Sequence, residues 1–143
     1  MKLAIPANIE AIVPYPPGKP LEELEREYGV TDSIKLASNE NPFGPSPLAV
    51  AAMRDALENL HRYPDGSGYY LTQAIAEKEN VLPQQIVLGN GSNEIIEFLV
   101  KAFVGYGDNV ITGHPSFLMY QKFVQVRGGD SQVVPLKDMS HDL

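Results

Sequence analysis

The sequence predicts an α/β fold organised on a parallel sheet, and three observations carry that expectation. From Gln85 onward, short apolar runs alternate with helical stretches of about a dozen residues. The joints between them are short and contain glycine, the pattern of successive βαβ units. The composition suits a folded domain: 143 residues, 43% hydrophobic and 20% charged, supply enough apolar side chain for a core and too little charge for disorder.

The first segment is of a different kind. Eight of the 12 prolines fall within the first 47 residues, which predicts an extended, turn-rich arm over 1–47 and an α/β part over 48–143. One short helix is expected in the arm, Leu21 to Tyr28, closed by Gly29. Ser33 to Ala37 read as a short strand, and the NENPFGPSP that follows Ser38 is too rich in Pro and Gly for regular structure. Ser46 then serves as an N-cap with Pro47 at the first helical position. Ala49, Met53, Ala56, Leu57 and Leu60 recur at helical spacing, predicting one buried face opposite Arg54, Asp55 and Glu58.

RYPDGSG (62–68) is a second irregular loop, and an amphipathic helix is expected from Tyr70 to Asn80. The alternating part follows: strand Ile86–Leu88, helix Ser92–Phe103, strand Asn109–Thr112, helix Ser116–Arg127 and strand Gln132–Leu136. After that last strand come only the residues around DMSHDL, with no covering helix. Three parallel strands with two helices leave faces and edges unprotected, so the expectation is the front portion of a larger α/β protein.

Several function classes are excluded or demoted. The net charge is -7 and the 11 Lys and Arg are scattered, so no basic footprint for nucleic acid exists. There is no cysteine, hence no disulfide and no thiolate metal site, which fits a reducing compartment. His61, His114 and His141 are isolated and lack metal-ligand spacing, so no metal is expected. Pro6, Asn8 and Glu10 interrupt the apolar character of the N-terminus, which does not read as a signal peptide, and no stretch approaches the roughly 20 apolar residues of a membrane span. A cytoplasmic protein without membrane or nucleic-acid partners is the expectation.

Three stretches are candidates for chemistry. GNGSNE (89–94) stands where a strand hands over to a helix, at the carboxyl edge where α/β sheets bind ligands. The first turn of a helix offers unpaired N–H groups and the positive end of the dipole, a cradle for an anion. The Walker lysine is absent, with Glu94 in its place, and the GxGxxG spacing fails, so nucleotide binding is demoted. The plainer alternative is a tight turn with Ser92 or Asn93 capping the helix. HPSFLMYQKF (114–123) occupies a second strand-to-helix joint; if its strand neighbours the first, Phe117 opens its helix near the GNGSN turn, where its ring would stack on a flat ligand. The plainer alternative is a core aromatic. The loops NENPFGPS and RYPDGSG supply Asn39, Asn41 and Tyr63 as uncharged hydrogen-bonding groups and Glu40 for a cationic or imidazole-like group.

These blocks in this order, PYPPGKP, LASNENPFGPS, HRYPDGSGYYL, VLGNGSNEIIEFLVKAF, HPSFLMY and VVPLKDMSHDL, resemble the N-terminal part of bacterial histidinol-phosphate aminotransferases, from about Ile12 onward. The resemblance implies a fold-type I pyridoxal-phosphate enzyme: a homodimer whose large three-layer α/β/α domain surrounds a mostly parallel, seven-stranded sheet, preceded by an arm and substrate-side loop. It implies pyridoxal 5'-phosphate as cofactor, with Gly91 in the cradle and the phosphate on the amides of Ser92 and Asn93. Phe117 takes the place of the aromatic residue that stacks on the pyridine ring. Tyr63 matches the tyrosine that reaches the cofactor phosphate of the partner subunit, so active sites would be shared. Tyr15 matches a residue near the substrate phosphate, and Asn39 and Glu40 lie near the substrate end of the pocket.

The same resemblance implies that the Schiff-base lysine lies beyond residue 143, with the residues that pair the pyridine nitrogen and hold the substrate's phosphate and carboxylate. None of Lys2, Lys19, Lys35, Lys78, Lys101, Lys122 and Lys137 has its context, so this piece alone is expected to be inert. The complete enzyme would exchange an amino group between L-glutamate and imidazole acetol phosphate, giving L-histidinol phosphate and 2-oxoglutarate in histidine biosynthesis. The alternatives are a sister fold-type I enzyme, such as an aromatic aminotransferase or a threonine-phosphate decarboxylase, or a noncatalytic module for dimerisation or phosphate binding.

Overall fold

A computed structural model describes residues 4–15, 18–36 and 38–141. The elements in chain order are α1 (Ala7–Glu10), α2 (Leu21–Tyr28), α3 (Pro47–Ala56), a 3-10 turn (Leu57–Asn59), α4 (Tyr69–Glu79), a second 3-10 turn (Pro83–Gln85), α5 (Gly91–Phe103), β1 (Asn109–His114), α6 (Met119–Arg127) and β2 (Asp130–Pro135). The chain falls into two compact units, one of residues 1–13 with 67–143 and one of residues 14–66.

The first unit is built on β1 and β2, which pair in parallel from Asn109 opposite Asp130 to His114 opposite Pro135, with α6 as their crossover. This is the βαβ unit the alternation predicts, with both strands longer than expected. The core forms where α5 and α6 meet: Ile96, Val100 and Val104 repeat every fourth residue and so share one face of α5 and its exit. They pack with Val124, which is 1% exposed, and with the partly buried Val110 and Phe123. Beside this face Glu97 pairs with Lys101 at 2.7 Å one turn on. α6 ends in Gly128, whose φ of 78° suits a residue without Cβ. The amides of Gly128 and Gly129 bond back to Gln125 and Val124 at 3.0 and 3.1 Å, closing the helix.

Residues 86–88 were expected as a strand and form none. Ile86 is extended, with φ -111° and ψ 128°, but a strand needs a ladder partner. Among the described residues β1 and β2 pair only with each other. Three strands are therefore two among the described residues, and residues 86–88 do not pair with β1. A further departure is α1, a single turn in a region read as extended.

In the second unit α2 has the predicted bounds, and Gly29 caps it at φ 67° with its amide on the Glu25 carbonyl. Lys19 precedes this helix, paired with Glu27 and, at 3.7 Å, with Glu23, above the Tyr28 ring. The hydrogen bond with Glu27 raises the Lys19 pKa above its ordinary value of 10.5. Ser33–Leu36 form no strand, for want of a partner, and Ala37 lies outside the described residues. Ser46 and Pro47 open α3 as predicted, although the Ser46 side chain makes no capping bond. The expected buried face of α3 is not buried: Met53, Leu57 and Leu60 are 58%, 59% and 72% exposed. Helical periodicity identifies the face that would pack, and none of the described residues of this unit covers it.

Candidate functional site

The GNGSN turn delivers the geometry an anion cradle needs. Gly91, the first residue of α5, has φ 76°, a left-handed conformation that side chains disfavour. A Cβ there would meet nothing within 4 Å, so the backbone angle and not space demands glycine. The Gly91 amide bonds the Gly89 carbonyl at 3.0 Å, folding the turn tightly into the helix. Among the described residues, no hydrogen bond takes up the amides of Ser92 and Asn93, and both residues are exposed. These are two of the donors that every helix start leaves over, at the positive end of thirteen aligned peptide dipoles.

Glu94, which sequence reasoning noted only as a departure from the Walker pattern, has a positive role. Its Oε2 accepts the Asn90 amide at 2.6 Å and the Asn90 side-chain Nδ2 at 3.2 Å. The carboxylate thus satisfies the donor just outside the helix and leaves the next ones free. A carboxylate reaching back over the beginning of the helix ties down the donor that precedes it. Gly89 packs close to this arrangement: a Cβ on it would stand 2.8 Å from Ile95 Cδ1 and 3.2 Å from Glu94 Oε2.

Phe117 lies in the joint between β1 and α6, 43% exposed, and meets Tyr120 edge to face with ring centroids 6.1 Å apart. It is therefore neither a core residue nor a free plate. Its ring partner is Tyr120 of α6. In the other unit Tyr63 is fully exposed. Tyr15 is 54% exposed. Glu40 is paired with Lys35 at 3.0 Å, and its amide bonds the Ser38 carbonyl. Asn39 is exposed. Asn41 organises the loop between them: its Oδ1 accepts the Phe43 amide at 3.1 Å and its Nδ2 donates to the Gly44 carbonyl at 3.0 Å. This is turn chemistry.

An open groove of about 560 Å³ borders β1, β2 and α6, lined among others by Val100, Thr112, Tyr120, Val134 and His141. It holds none of the predicted site residues, and its mainly apolar lining does not suit a phosphate. Thr112 Oγ1 is buried in this lining without a partner among the described residues. Those residues also contain no cluster of three or more His, Cys, Asp or Glu fit to hold a metal. No helix among them is long and apolar enough to cross a membrane.

A parallel βαβ unit and a glycine-set helix start with free amides define a protein class when joined to the family comparison. A model of the family described as "Aminotransferase class I and II" matches residues 31–143, and the chain belongs to that family. More narrowly, it is similar to histidinol-phosphate aminotransferases. That of Desulfotalea psychrophila is 70% identical over 143 residues, which is all of this chain and 38% of that protein. That of an Anaeromyxobacter species is 50% identical over 137 residues, 96% of this chain and 38% of that protein. The crystal structure of histidinol-phosphate aminotransferase from Sinorhizobium meliloti in complex with pyridoxal-5'-phosphate superposes with a TM-score of 0.78 at 28% identity, over 94% of this chain and 35% of that one. The α/β expectation is met as part of such a domain. This chain spans little more than a third of the length of these relatives and corresponds to their N-terminal part.

Proposed function

We propose that this chain forms the front of a pyridoxal-phosphate aminotransferase that interconverts L-histidinol phosphate plus 2-oxoglutarate and imidazole acetol phosphate plus L-glutamate. The observation that carries the reading is the 70% identity, over every residue of the chain, to a histidinol-phosphate aminotransferase. The cradle fits the cofactor. A phosphate dianion needs donors that are exposed and not already taken, and the amides of Ser92 and Asn93 meet that description among the described residues. Pyridoxal phosphate, when bound, supplies the electron sink for amino-group transfer.

In this reading the residues of the chain bind and orient. Gly91 sets the backbone angle that turns the Ser92 and Asn93 amides outward, and Glu94 keeps the Asn90 amide from competing with them. The ring of Phe117 covers one face of the planar cofactor. The Tyr63 hydroxyl donates to the phosphate held by a second copy of the chain, so the working form is a homodimer with shared sites. That role suits a fully exposed side chain. Tyr15, Asn39 and Glu40 belong to the substrate end. The arm and substrate-side loop then comprise residues 1–47, the large domain begins at 48, and the lysine that bonds the cofactor comes from sequence after residue 143. The site is cytoplasmic in this reading.

The test is amino-group transfer by the full-length protein from L-histidinol phosphate and from L-phenylalanine to 2-oxoglutarate. A kcat/KM at least tenfold higher for histidinol phosphate is expected. Preference for phenylalanine makes it an aromatic aminotransferase, and absence of transfer from either leaves a decarboxylase or a noncatalytic module.

A further inference from the structure

We infer that Asn8 is a positioning residue, a latch that fastens the N-terminal arm to the end of α6 and thereby fixes where the chain sets out toward Tyr15. Asn8 Nδ2 donates to the Gln125 carbonyl at 3.0 Å and to the Val126 carbonyl at 3.2 Å, more than a hundred residues away. Both protons of one amide are thus used on adjacent carbonyls of the last helical turn. The end of α6 explains the choice of partner. The last four carbonyls of a helix lack intrahelical donors. Gly129 and Gly128 serve those of Val124 and Gln125. Of the acceptor sites that remain, the Val126 carbonyl and the second lone pair of Gln125 are the two that Asn8 occupies. The negative end of the helix dipole strengthens the attraction for a donor at this place.

The latch sits on a fixed base. The Arg127 Nε donates to the Val104 carbonyl at 3.2 Å, the Gly107 amide bonds the Gly128 carbonyl at 2.9 Å, and Val124 anchors the helix in the core. On the other side, Asn8 lies in the single turn of α1, whose amides at Ile9, Glu10, Ala11 and Ile12 all bond back within residues 6–9. Residues 1–13 accordingly cluster with 67–143 and not with the chain that follows. Tyr15 comes four residues after Ala11, a tether of at most about 14 Å. A four-residue helix does not persist by itself in water, so without the latch the tether has no fixed origin. The functional half of this inference rests on the substrate-end role proposed for Tyr15.

The experiment compares the full-length protein with N8D and N8A. Aspartate keeps the shape of asparagine but cannot donate and faces two carbonyls, so it tests the hydrogen bonds and not the packing. Hydrogen–deuterium exchange at the amides of residues 9–12 is expected to quicken about tenfold in both variants. KM for histidinol phosphate is expected to rise about fivefold or more, with kcat within twofold and an unchanged melting midpoint, the mark of lost positioning. Unchanged exchange overturns the latch. Faster exchange with an unchanged KM, or a fall in kcat together with the melting midpoint, overturns the positioning role. If the wild-type protein does not use histidinol phosphate, the proposed function and the role of Asn8 in it fall together, while the exchange data still decide the latch by themselves.

Discussion

The reading of the helix start can be tested atom by atom, because it assigns different work to neighbouring amides. Replacing the peptide bond at the Asn93 nitrogen by an ester removes one N–H and leaves every side chain in place. Among the described residues that amide has no partner, so its loss removes no hydrogen bond between them. The ester carbonyl of Ser92 is a weaker acceptor within α5, which costs on the order of 0.5 kcal/mol. The same exchange at Asn90 removes the bond to Glu94 Oε2 at 2.6 Å, worth about 1 kcal/mol at an exposed site. Cofactor affinity should show the reverse order. A hydrogen bond to a charged group contributes about 1.5–3 kcal/mol, so the Asn93 ester should weaken pyridoxal-phosphate binding by roughly 10- to 150-fold. The Asn90 ester should weaken it far less. Absorbance titration of the full-length, cofactor-stripped protein gives the affinities, and thermal melting without cofactor gives the stabilities. If the Asn93 ester binds cofactor as the native amide does, the phosphate does not sit there and the argument fails.

Other expectations follow from burial and exposure. Val124→Ala removes two methyl groups from the best-packed point of the α5–α6 core, where the side chain is 1% exposed, and should lower stability by about 2 kcal/mol in denaturant titration with an unchanged m-value. Gly113→Ala places a Cβ 2.8 Å from His141 Cε1 and 2.9 Å from Leu136 Cδ2; a loss of about 1–2 kcal/mol is expected, part of which the additional change His141→Ala should restore in a double-mutant cycle. Tyr63→Phe should leave the melting midpoint of the cofactor-free protein unchanged, since the side chain is fully exposed. It should weaken cofactor binding by about tenfold or more, the scale of one hydrogen bond to a charged group. In mixed dimers that loss should appear at the site of the unmutated subunit.

Local signals in the sequence were read well, and those that depend on a distant partner were not. Gly29 and Gly128 end α2 and α6 because each sits in the left-handed region a helix terminus requires, information contained in a few adjacent residues. Ser46-Pro47 marked the start of α3 for the same reason. Residues 86–88 and 33–36 have strand-like composition but no ladder, since pairing is a property of two segments and composition reports one. The donors of the candidate site were legible from glycine placement and helix phase. The role of Glu94 required knowing that the turn folds back far enough to bring Asn90 onto its carboxylate. Asn8 was invisible, because its partners are backbone carbonyls, which every residue carries and no sequence pattern marks.

The same distinction governs the apolar surface. Periodicity in α5 and in α3 is of one kind, yet α5 is buried at Ile96 and Val100 while Met53, Leu57 and Leu60 of α3 stand exposed. The difference lies in what is available to pack. α5 packs against α6, with Val110 of β1 at the edge of the same cluster, whereas among the described residues of its unit α3 meets only the 3-10 turn that continues it. At about 25 cal/mol per Å² of apolar surface removed from water, covering such a face is favourable. Helical spacing therefore encodes a demand for a partner without naming one. In the homodimer proposed above, the α3 stripe and the exposed Tyr63 that follows it are expected to lose solvent together. Hydrogen–deuterium exchange of the full-length protein at dimer-forming and at dissociating concentrations reads this directly, and equal exchange of residues 47–63 under both conditions would show that the stripe serves some other contact.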